Sequence, residues 1–238
     1  MELVTVTVGT YNSSKYILET LESIALQSYE NIELIIGDDA STDDTMDKVR
    51  DWLSKNEHRK KFSNIKLLEV DVNTGPTANA IRKLSVATGE WMKMIGGDDT
   101  LLPNCISDNI THIANNPEIR VLFSKVNIYR NTFEENNFVR TTPSGEVTPA
   151  SIIWPERTAD SQYRMLLASD RIHFTPSIFI HRETLNKVGG YDQRFRMMED
   201  YPLWLNLTRN GYKLHFMDKI TVNYRIHSKA INNTGVNY

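Results

Sequence analysis

The first 130 residues alternate between short apolar runs of strand type and longer segments with helical periodicity, and this alternation restricts the possible folds more than any other feature. Residues 3–10 are rich in β-branched side chains, and apolar residues recur with helical period from Ile17 to Ala25. Comparable strand-like runs follow at residues 32–36, 65–70, 91–95 and 121–129. Alternation of this kind predicts right-handed βαβ units, and therefore an α/β fold with a mostly parallel sheet flanked by helices.

The second half of the chain has a different pattern. Residues 131–158 are polar and contain three prolines, which predicts a long excursion, and strands are expected at residues 172–180, 213–216 and 222–226. A helix is expected after the glycine pair at 189–190, with Leu203, Trp204 and Leu207 on one face. No linker, repeat or low-complexity tract separates residues 1–130 from residues 131–238. We therefore predict one domain, residues 1–238, with an elaborated C-terminal half.

Composition excludes some partners and favours a reducing compartment. The formal net charge of the 238 residues is -3, whereas nucleic-acid binders usually carry a basic face. Cys105 is the only cysteine, so no internal disulfide can form, and no apolar run approaches the roughly 18 residues that span a bilayer. We expect a cytoplasmic protein. The basic run at residues 58–61 is either a solvated helix end or a contact for anionic lipid.

Ligands of open α/β sheets bind beyond the carboxyl ends of the strands, and polar segments follow four of the predicted strands there. These segments are residues 9–12, 38–41, 73–76 and 96–100. Asp98 and Asp99 are adjacent carboxylates after a buried strand and two glycines. A divalent cation such as Mn²⁺ or Mg²⁺ would relieve their repulsion and bridge them to substrate phosphates. The alternative is a surface turn in which an Asp caps the next helix.

Two further candidates lie in the same predicted edge. A carboxylate of the Asp38-Asp39 pair can accept a hydrogen bond from a uracil N–H or a ribose hydroxyl, or it can cap the helix that follows. Tyr11, at the end of the first strand, can stack on a base or simply pack at the strand edge. The residue types alone leave both choices open.

Four motifs in a fixed order give the chain a specific resemblance. They are V-T-V-G-T-Y-N near the start, I-I-G-D-D-A-S-T-D-D-T after the second strand, G-D-D-T-L-L-P after the fourth, and G-G-Y-D followed by M-E-D-Y-P-L-W. Together they resemble the family 2 glycosyltransferases with the GT-A fold, of the type that builds bacterial surface polysaccharides. The resemblance extends from Leu3 to His227. It implies a nucleotide-sugar-binding half, residues 1–130, and an acceptor-binding half, residues 131–238.

The resemblance also implies roles for residues of the first half. It places nucleotide-sugar contacts at Thr10, Tyr11, Asn12, Asp39, Arg82 and Asp98. It makes Asp98-Asp99 the DxD-type motif, in which one carboxylate binds the metal and the other contacts the ribose or the metal's surroundings. Two departures occur: Gly96 replaces a leading Asp, and Ala80-Ile81 occupies the usual Arg-Asn position, so that Arg82 would act from a shifted position.

In the second half, the resemblance assigns the general base to Asp200 and acceptor contacts to Glu199. From the residues alone, the same pair would complement the dipole of the helix that follows. His227, in Y-R-I-H-S, is the third implied metal ligand besides Asp98 and Asp99. His173 either lines the acceptor site or has a structural role.

The implied function is an inverting transfer of a hexose from a UDP-sugar to a saccharide acceptor, with Mn²⁺ or Mg²⁺ as cofactor. The implied acceptor is polyprenyl-diphosphate-linked, in O-antigen or capsule synthesis, with peripheral contact at the inner face of the cytoplasmic membrane. A non-catalytic sugar-nucleotide-binding module is the alternative. A nucleotidyltransferase or a dehydrogenase would need a Gly-rich loop that G-T-Y-N-S-S-K lacks.

Overall fold

The computed structural model describes residues 1–145, 147–228 and 230. The strands in this part of the chain are β1 (Val4–Thr10), β2 (Ile32–Asp38), β3 (Asn64–Leu68), β4 (Trp91–Gly96), β5 (Thr100–Leu101), β6 (Val121–Arg130), β7 (Phe138–Thr142), β8 (Phe179–His181) and β9 (Leu214–Ile226). The helices are α1 (Ile17–Ala25), α2 (Thr45–Ser54), α3 (Asn56–Lys61), α4 (Pro76–Val86), α5 (Cys105–Ala114), α6 (Ala159–Ala168), α7 (Arg182–Lys187) and α8 (Asp200–Arg209). None of these helices is long and apolar enough to cross a membrane.

The strands form one sheet in the order β3-β2-β1-β4-β8-β6-β9-β5, with β7 paired to β6. Strands β3, β2, β1 and β4 are mutually parallel, β6 and β9 are parallel to each other, and β8 is antiparallel to both of its neighbours. The predicted α/β class with a mostly parallel sheet is therefore confirmed. Strands β8 and β9 come from the second half, so both halves of the chain contribute to the same sheet.

The register brings the carboxyl ends of three strands level. Thr10 pairs with Asp38, and Gly9 lies between Gly37 and Gly96 in the neighbouring strands. Polar segments after β1, β2 and β4 consequently leave the sheet side by side. This level edge is the platform of the candidate site.

Helix α4 packs on β1 and β2 at this edge, and glycines permit the close approach. A Cβ atom on Gly37 would lie 2.2 Å from Oδ1 of Asn79, and one on Gly9 would lie 2.6 Å from Nζ of Lys83. The two α4 side chains are four residues apart, so they share a helix face. That face brings an amide and an ammonium group against the ends of β1 and β2.

Several predicted elements differ from the structure. The strand predicted at residues 172–180 is wrong over most of its length, because Thr175–Ser177 forms a 3₁₀ turn and only Phe179–His181 pairs. Pro176 lies in that turn and lacks the N–H that a sheet position requires. The two strands predicted at 213–216 and 222–226 are one continuous strand, β9, with register shifts against β6. The excursion at 131–158 contains strand β7.

The basic run at residues 58–61 belongs to α3, which buries none of its residues. Gly211 follows the end of α8 with a φ of 84°, as expected of a glycine that closes a helix. One domain over residues 1–238 stays a prediction. Its last eight residues, 231–238, lie outside the described part.

Candidate active site

The Asp98-Asp99 pair lies in the turn between β4 and β5. Asp99 is buried, and its Oδ1 accepts a hydrogen bond from the backbone N–H of Arg225 in β9, at 2.8 Å. Its carbonyl oxygen accepts one from the Thr20 hydroxyl of α1, at 2.7 Å. Burial first, and the charge of Asp98 second, raise the pKa of Asp99 well above the ordinary value of an Asp. The turn thus keeps two carboxyl groups together at an electrostatic cost.

His227 lies directly beside this turn. Its Nε2 is 2.9 Å from Oδ2 of Asp98, and its ring is 4.7 Å from the ring of Tyr16, centroid to centroid. The structure therefore brings together the three predicted metal ligands, Asp98, Asp99 and His227, although an oxygen of Asp99 faces the Arg225 backbone.

These donors fit a divalent cation that binds together with a diphosphate. Among the described residues, no group of three or more His, Cys, Asp or Glu side chains is arranged to hold a metal by itself. Mg²⁺ sites commonly use one or two carboxylates and complete their coordination with substrate phosphates and water, and an imidazole suits Mn²⁺-like ions. A cation here would also offset the repulsion that raises the pKa of Asp99.

Asp39 is hydrogen-bonded to the loop after β3 and to α4. Its carboxylate accepts four hydrogen bonds: from the Thr74 backbone N–H and hydroxyl, from the Gly75 backbone N–H at 2.6 Å and from the Arg82 guanidinium at 2.7 Å. Burial alone would raise its pKa, but these hydrogen bonds outweigh burial and lower it. Asp39 and Arg82 are therefore together, and Asp39 organises the loop after β3. A direct contact of Asp39 with uracil or ribose stays a prediction.

The residues at the end of β1 differ in exposure and in whether their side chains are already hydrogen-bonded within the described structure. The Thr10 hydroxyl is buried and has no hydrogen-bond partner among the described residues, and the same holds for Nε of Arg82. Tyr11 is 46% exposed. Asn12 has a φ of 51°, and its Oδ1 accepts a hydrogen bond from the Thr42 backbone N–H at 2.8 Å. Thr10, Tyr11 and Arg82 thus offer groups that a ligand can engage.

Residues 195–200 attach the second half to this edge. The Thr77 hydroxyl donates to the carbonyl of Phe195 at 2.5 Å, and Nη2 of Arg196 donates to the carbonyl of Asn73 at 3.0 Å. Gly75 has a φ of 91°, and a Cβ atom there would lie 2.8 Å from the Arg196 side chain. The glycine is therefore needed both for the backbone conformation and for the approach of Arg196.

Glu199 and Asp200 follow this attachment, where α8 begins. Burial first, then the neighbouring charges of Glu199 and Asp170, raise the pKa of Asp200 well above its ordinary value. Burial also raises the pKa of Glu199, against the opposing effects of its own backbone N–H and of Lys83. Both residues are half-buried, and a carboxyl group with a raised pKa is suited to accept a proton.

His173, the other predicted acceptor residue, is exposed in the turn before the 3₁₀ turn. No hydrogen bond or ion pair within the described ranges joins it to Glu199 or Asp200. Its role at an acceptor site stays a prediction.

Two residues of the site escaped the sequence reasoning. Lys83 is buried on α4, where desolvation lowers its pKa to about 8 against the raising effects of Glu199 and Asp39. Its charge therefore interacts with carboxylates of both halves. The available signal was the four-residue spacing of Asn79 and Lys83 opposite two strands, β1 and β2, whose second-last residue is glycine. The second residue is Arg225, which lies in the Y-R-I-H-S motif but received no role.

Comparison with known proteins identifies the family. Residues 5–189 match the family model described as glycosyl transferase family 2. The chain belongs to glycosyl transferase family 2. This confirms the predicted resemblance and the enzyme class, a glycosyltransferase. A similar relative is the Escherichia coli UDP-Glc:alpha-D-GlcNAc-diphosphoundecaprenol beta-1,3-glucosyltransferase WfaP, which is 29% identical over 231 residues, or 97% of this chain and 80% of that protein.

Solved structures agree on the fold of this family 2 chain. Staphylococcus aureus TarS in complex with UDP-GlcNAc matches with a TM-score of 0.72 and 23% identity, over 99% of this chain and 62% of that one. The Pyrobaculum calidifontis mannosyltransferase PcManGT, in complex with GDP-Man and Mn²⁺, matches with a TM-score of 0.65 and 21% identity, over 92% and 56%. These likenesses confirm the GT-A fold. This chain spans less than two thirds of the solved chains it matches.

Proposed function

We propose that this chain is an inverting, metal-dependent glycosyltransferase that moves a hexose from a UDP-sugar to a saccharide acceptor. The observation that carries the proposal is the attachment of residues 195–200 to the loop after β3. This segment ends in the Glu199-Asp200 pair, and the loop is held by Asp39 and Arg82 at the carboxyl edge of the sheet. These contacts thereby connect the proposed proton acceptor, Asp200, to the proposed nucleotide-binding edge of the sheet.

The donor binds at the ends of β1 and β2 in this proposal. The buried Thr10 hydroxyl and Nε of Arg82 lack partners among the described residues, and a nucleotide would satisfy them. Exposed Tyr11 is available to stack on the uracil, and Asn12 lies beside it. The UDP-GlcNAc bound by TarS, a protein of the same fold, supports a nucleotide-sugar donor.

Asp98, Asp99 and His227 would hold the cation, Mn²⁺ or Mg²⁺, together with the donor diphosphate. When bound, the cation supplies positive charge that offsets the charge developing on the departing diphosphate. Asp98 would belong to both the donor site and the metal site, because it follows β4 at the carboxyl edge and its Oδ2 lies 2.9 Å from Nε2 of His227. The Mn²⁺ and GDP-Man bound by PcManGT support a metal site in this fold.

Asp200 performs the proton transfer. Its carboxylate takes the proton of the acceptor hydroxyl as that oxygen bonds to the anomeric carbon, and the bond from this carbon to the diphosphate oxygen breaks. Because the acceptor attacks opposite the leaving group, the anomeric configuration inverts. The raised pKa of Asp200 makes it a stronger base than an ordinary Asp. Glu199 maintains that pKa and contacts the acceptor.

The acceptor we propose is a saccharide on polyprenyl diphosphate, extended during O-antigen or capsule synthesis. The relative WfaP is named for a diphosphoundecaprenol-linked acceptor, which supports this class. An enzyme acting on such a lipid would work at the inner face of the cytoplasmic membrane, held peripherally. His173 and Glu199 would lie on the acceptor side.

The test is Mn²⁺-dependent release of UDP from a panel of UDP-sugars, with undecaprenyl-type acceptor analogues that carry GlcNAc or GalNAc. We expect turnover with one UDP-sugar, its loss in Asp200→Asn, and a higher Mn²⁺ requirement in Asp98→Asn. Asp192→Asn is the matched control, because Asp192 pairs with Arg194 in the neighbouring loop and has no role in the proposal.

Two outcomes would contradict the proposal. Metal-dependent binding of UDP-sugars with no turnover on any acceptor would favour the non-catalytic module. When GDP-mannose is added to the panel and release of GDP is also measured, turnover with GDP-mannose alone would keep the enzyme class but reject the UDP-sugar donor.

A further inference from the structure

Arg225 makes two hydrogen bonds to the Asp98-Asp99 turn, one from its backbone and one from its side chain. Only 2% of it is exposed. Its Nε donates to the carbonyl of Asp98 at 2.8 Å, its Nη1 donates to the carbonyl of Asn131 at 2.7 Å, and its Nη2 donates to the carboxylate of Glu19. Its backbone N–H donates to Oδ1 of Asp99. One residue therefore joins α1, the turn after β4 and the end of β6.

The faces of the guanidinium are also fixed. Its Cζ lies 4.4 Å from the ring centroid of Tyr16 and 3.9 Å from that of Phe133. Guanidinium groups are weakly hydrated and stack well on aromatic rings, so two rings and three acceptors determine the orientation of this group. Tyr16 in turn contacts the His227 ring. The same assembly thus borders Asp98 and His227, two of the three candidate metal ligands.

We propose that Arg225 is a positioning residue of the metal site, an inference that rests on the proposed function. Arg225 fixes the Asp98 carbonyl and one Asp99 oxygen, which sets the direction in which the Asp98 carboxylate leaves the turn. Two residues later, just past the end of the same strand, Nε2 of His227 lies 2.9 Å from Oδ2 of that carboxylate. Outer groups that orient metal ligands commonly affect metal affinity about 10- to 100-fold.

A purely stabilising ion pair does not account for this arrangement. The side chain of Glu19 is 51% exposed, and ion pairs with an exposed partner contribute little to stability. The other two guanidinium contacts go to backbone carbonyls, which define the path of the chain rather than neutralise charge. Together, the three guanidinium contacts hold the side chain in one orientation, in which it defines the geometry of the Asp98-Asp99 turn.

A cavity beside Arg225 makes a chemical test possible. It has a volume of about 390 Å³ and is lined by Arg225, by residues before and within α1 such as Lys15 and Glu19, and by the loop after β6, including Phe133. When the Arg225 side chain is truncated, a small guanidinium ion can enter from this cavity. It can then restore the contacts to the carbonyl of Asp98 and to Glu19.

The test measures Mn²⁺ binding in the presence of UDP, by electron paramagnetic resonance of the free ion, in wild type and Arg225→Ala. We expect the Mn²⁺ affinity of Arg225→Ala to fall about 10- to 100-fold. UDP affinity without metal should change less than about twofold, because Arg225 orients the metal site and not the nucleotide platform. Methylguanidinium should recover part of the Mn²⁺ affinity in Arg225→Ala and leave wild type unchanged.

Arg182→Ala is the matched control. The Arg182 guanidinium also donates to a backbone carbonyl, that of Gly89 at 2.6 Å, at the opposite end of the sheet. Its loss should leave Mn²⁺ affinity unchanged. If Arg225→Ala does not fold, as judged by circular dichroism, Arg225→Lys and Glu19→Gln decide, since both keep a polar side chain. Reduced Mn²⁺ affinity in either supports the proposal.

Folded Arg225 variants with wild-type Mn²⁺ affinity, beside a wild type that binds UDP in a metal-dependent way, overturn this inference alone. A fall of the same size in Arg182→Ala also overturns it, because the effect is then general to backbone-bound arginines. A wild type whose UDP binding does not respond to Mn²⁺ overturns the inference together with the metal dependence of the proposed function.

Discussion

The two ends of the central strands differ in how many hydrogen-bond donors surround a carboxyl group and in the direction of its pKa shift. Near the amino end of β2, Glu33 is fully buried and accepts hydrogen bonds from the Thr5 hydroxyl at 2.6 Å, the Thr88 backbone N–H at 2.8 Å and the Lys66 ammonium at 3.0 Å. Burial would raise its pKa, but these donors outweigh it and lower the pKa to about 2. Glu33 is a satisfied structural carboxylate.

At the carboxyl end of the strands, the effect of desolvation on the pKa outweighs the effect of the hydrogen-bond donors. Asp99 has one hydrogen bond to its carboxylate and a charged neighbour, and its pKa is raised. Asp200 accepts no hydrogen bond and forms no ion pair within the described ranges, and its pKa is raised too. Burial of a carboxylate is therefore not by itself the signal of a functional site. The signal is burial without enough donors, because the missing donors are left for ligand, cation or substrate.

The largest expected effect comes from Asp200→Asn. Removing a general base lowers kcat by about 10²- to 10⁴-fold, while the affinity for UDP is unchanged. The variant should not lose stability at pH 7. A raised folded-state pKa means that the charged form is disfavoured in the native protein, and Asn removes that charge. Single-turnover transfer assays, calorimetry with UDP and thermal denaturation measure the three quantities.

A loss of stability in Asp200→Asn at pH 7 would show that Asp200 is a satisfied carboxylate like Glu33. The comparison between the two ends would then fail at this residue.

Glu33→Gln should have the opposite profile, with stability lost and catalysis kept. The folded-state pKa of about 2 lies below the ordinary 4.5, so the ionised group stabilises the fold above about pH 4.5. This stabilisation is lost as the pH falls towards 2. At pH 7 we expect the free energy of unfolding to fall by about 2–3 kcal/mol, with kcat of the folded enzyme unchanged. Urea denaturation at pH 7 and at pH 4 should show the difference shrinking in acid.

Two threonines of β1 provide a matched pair for the same comparison. The Thr5 hydroxyl donates to Glu33 and accepts from the Gly89 backbone N–H at 2.9 Å, so Thr5→Val should cost about 2 kcal/mol of stability. The Thr10 hydroxyl is buried without a partner in the described structure, so Thr10→Val should cost no stability. It should instead weaken UDP binding about fivefold, the equivalent of one hydrogen bond.

Equal stability losses in Thr5→Val and Thr10→Val would contradict this division of the strand. So would an unchanged UDP affinity in Thr10→Val. Both are measured by urea denaturation and by calorimetric titration with UDP.

The smallest effect is expected from Glu199→Gln on the pH dependence of catalysis. The charge of Glu199 contributes to the raised pKa of Asp200, so its removal lowers that pKa. Because Asp200 must be ionised to accept a proton, the acid limb of kcat/KM should move to lower pH, by less than about one pH unit. In the Asp192→Asn enzyme, the acid limb of kcat/KM should stay at its wild-type pH. A limb that moves to higher pH in Glu199→Gln would exclude this role of Glu199.

Much of the fold followed from local patterns. The β1 to β4 strands and their helices are predicted because each carries its own periodicity, and the parallel sheet follows from their alternation. The 3₁₀ turn at Thr175–Ser177 was missed because its flanks have the apolar character of a strand. The continuity of β9 was missed because its middle residues, 218–220, are exposed, and the charged pair Asp218-Lys219 resembles a loop.

The residues of the candidate site also differ in whether the sequence alone could reveal them. Asp98 and Asp99 could be selected from sequence because they follow a strand directly. Arg225 contacts residues 94 to 206 positions away, and such contacts leave no trace in a local pattern. Asp39 was correctly placed at the edge, but only the structure shows that Thr74, Gly75 and Arg82 already occupy its oxygens.

The family, the α/β architecture and the acidic residues at the strand ends can all be read from the amino-acid sequence, because they depend on periodicity and on order along the chain. Tertiary structure alone decided which of those carboxyl groups are satisfied and which have raised pKa values. The physical reason is that a carboxylate's charge state depends on donors, cations and burial supplied by distant segments, and β9, α4 and residues 195–200 reach the site only when the chain is folded.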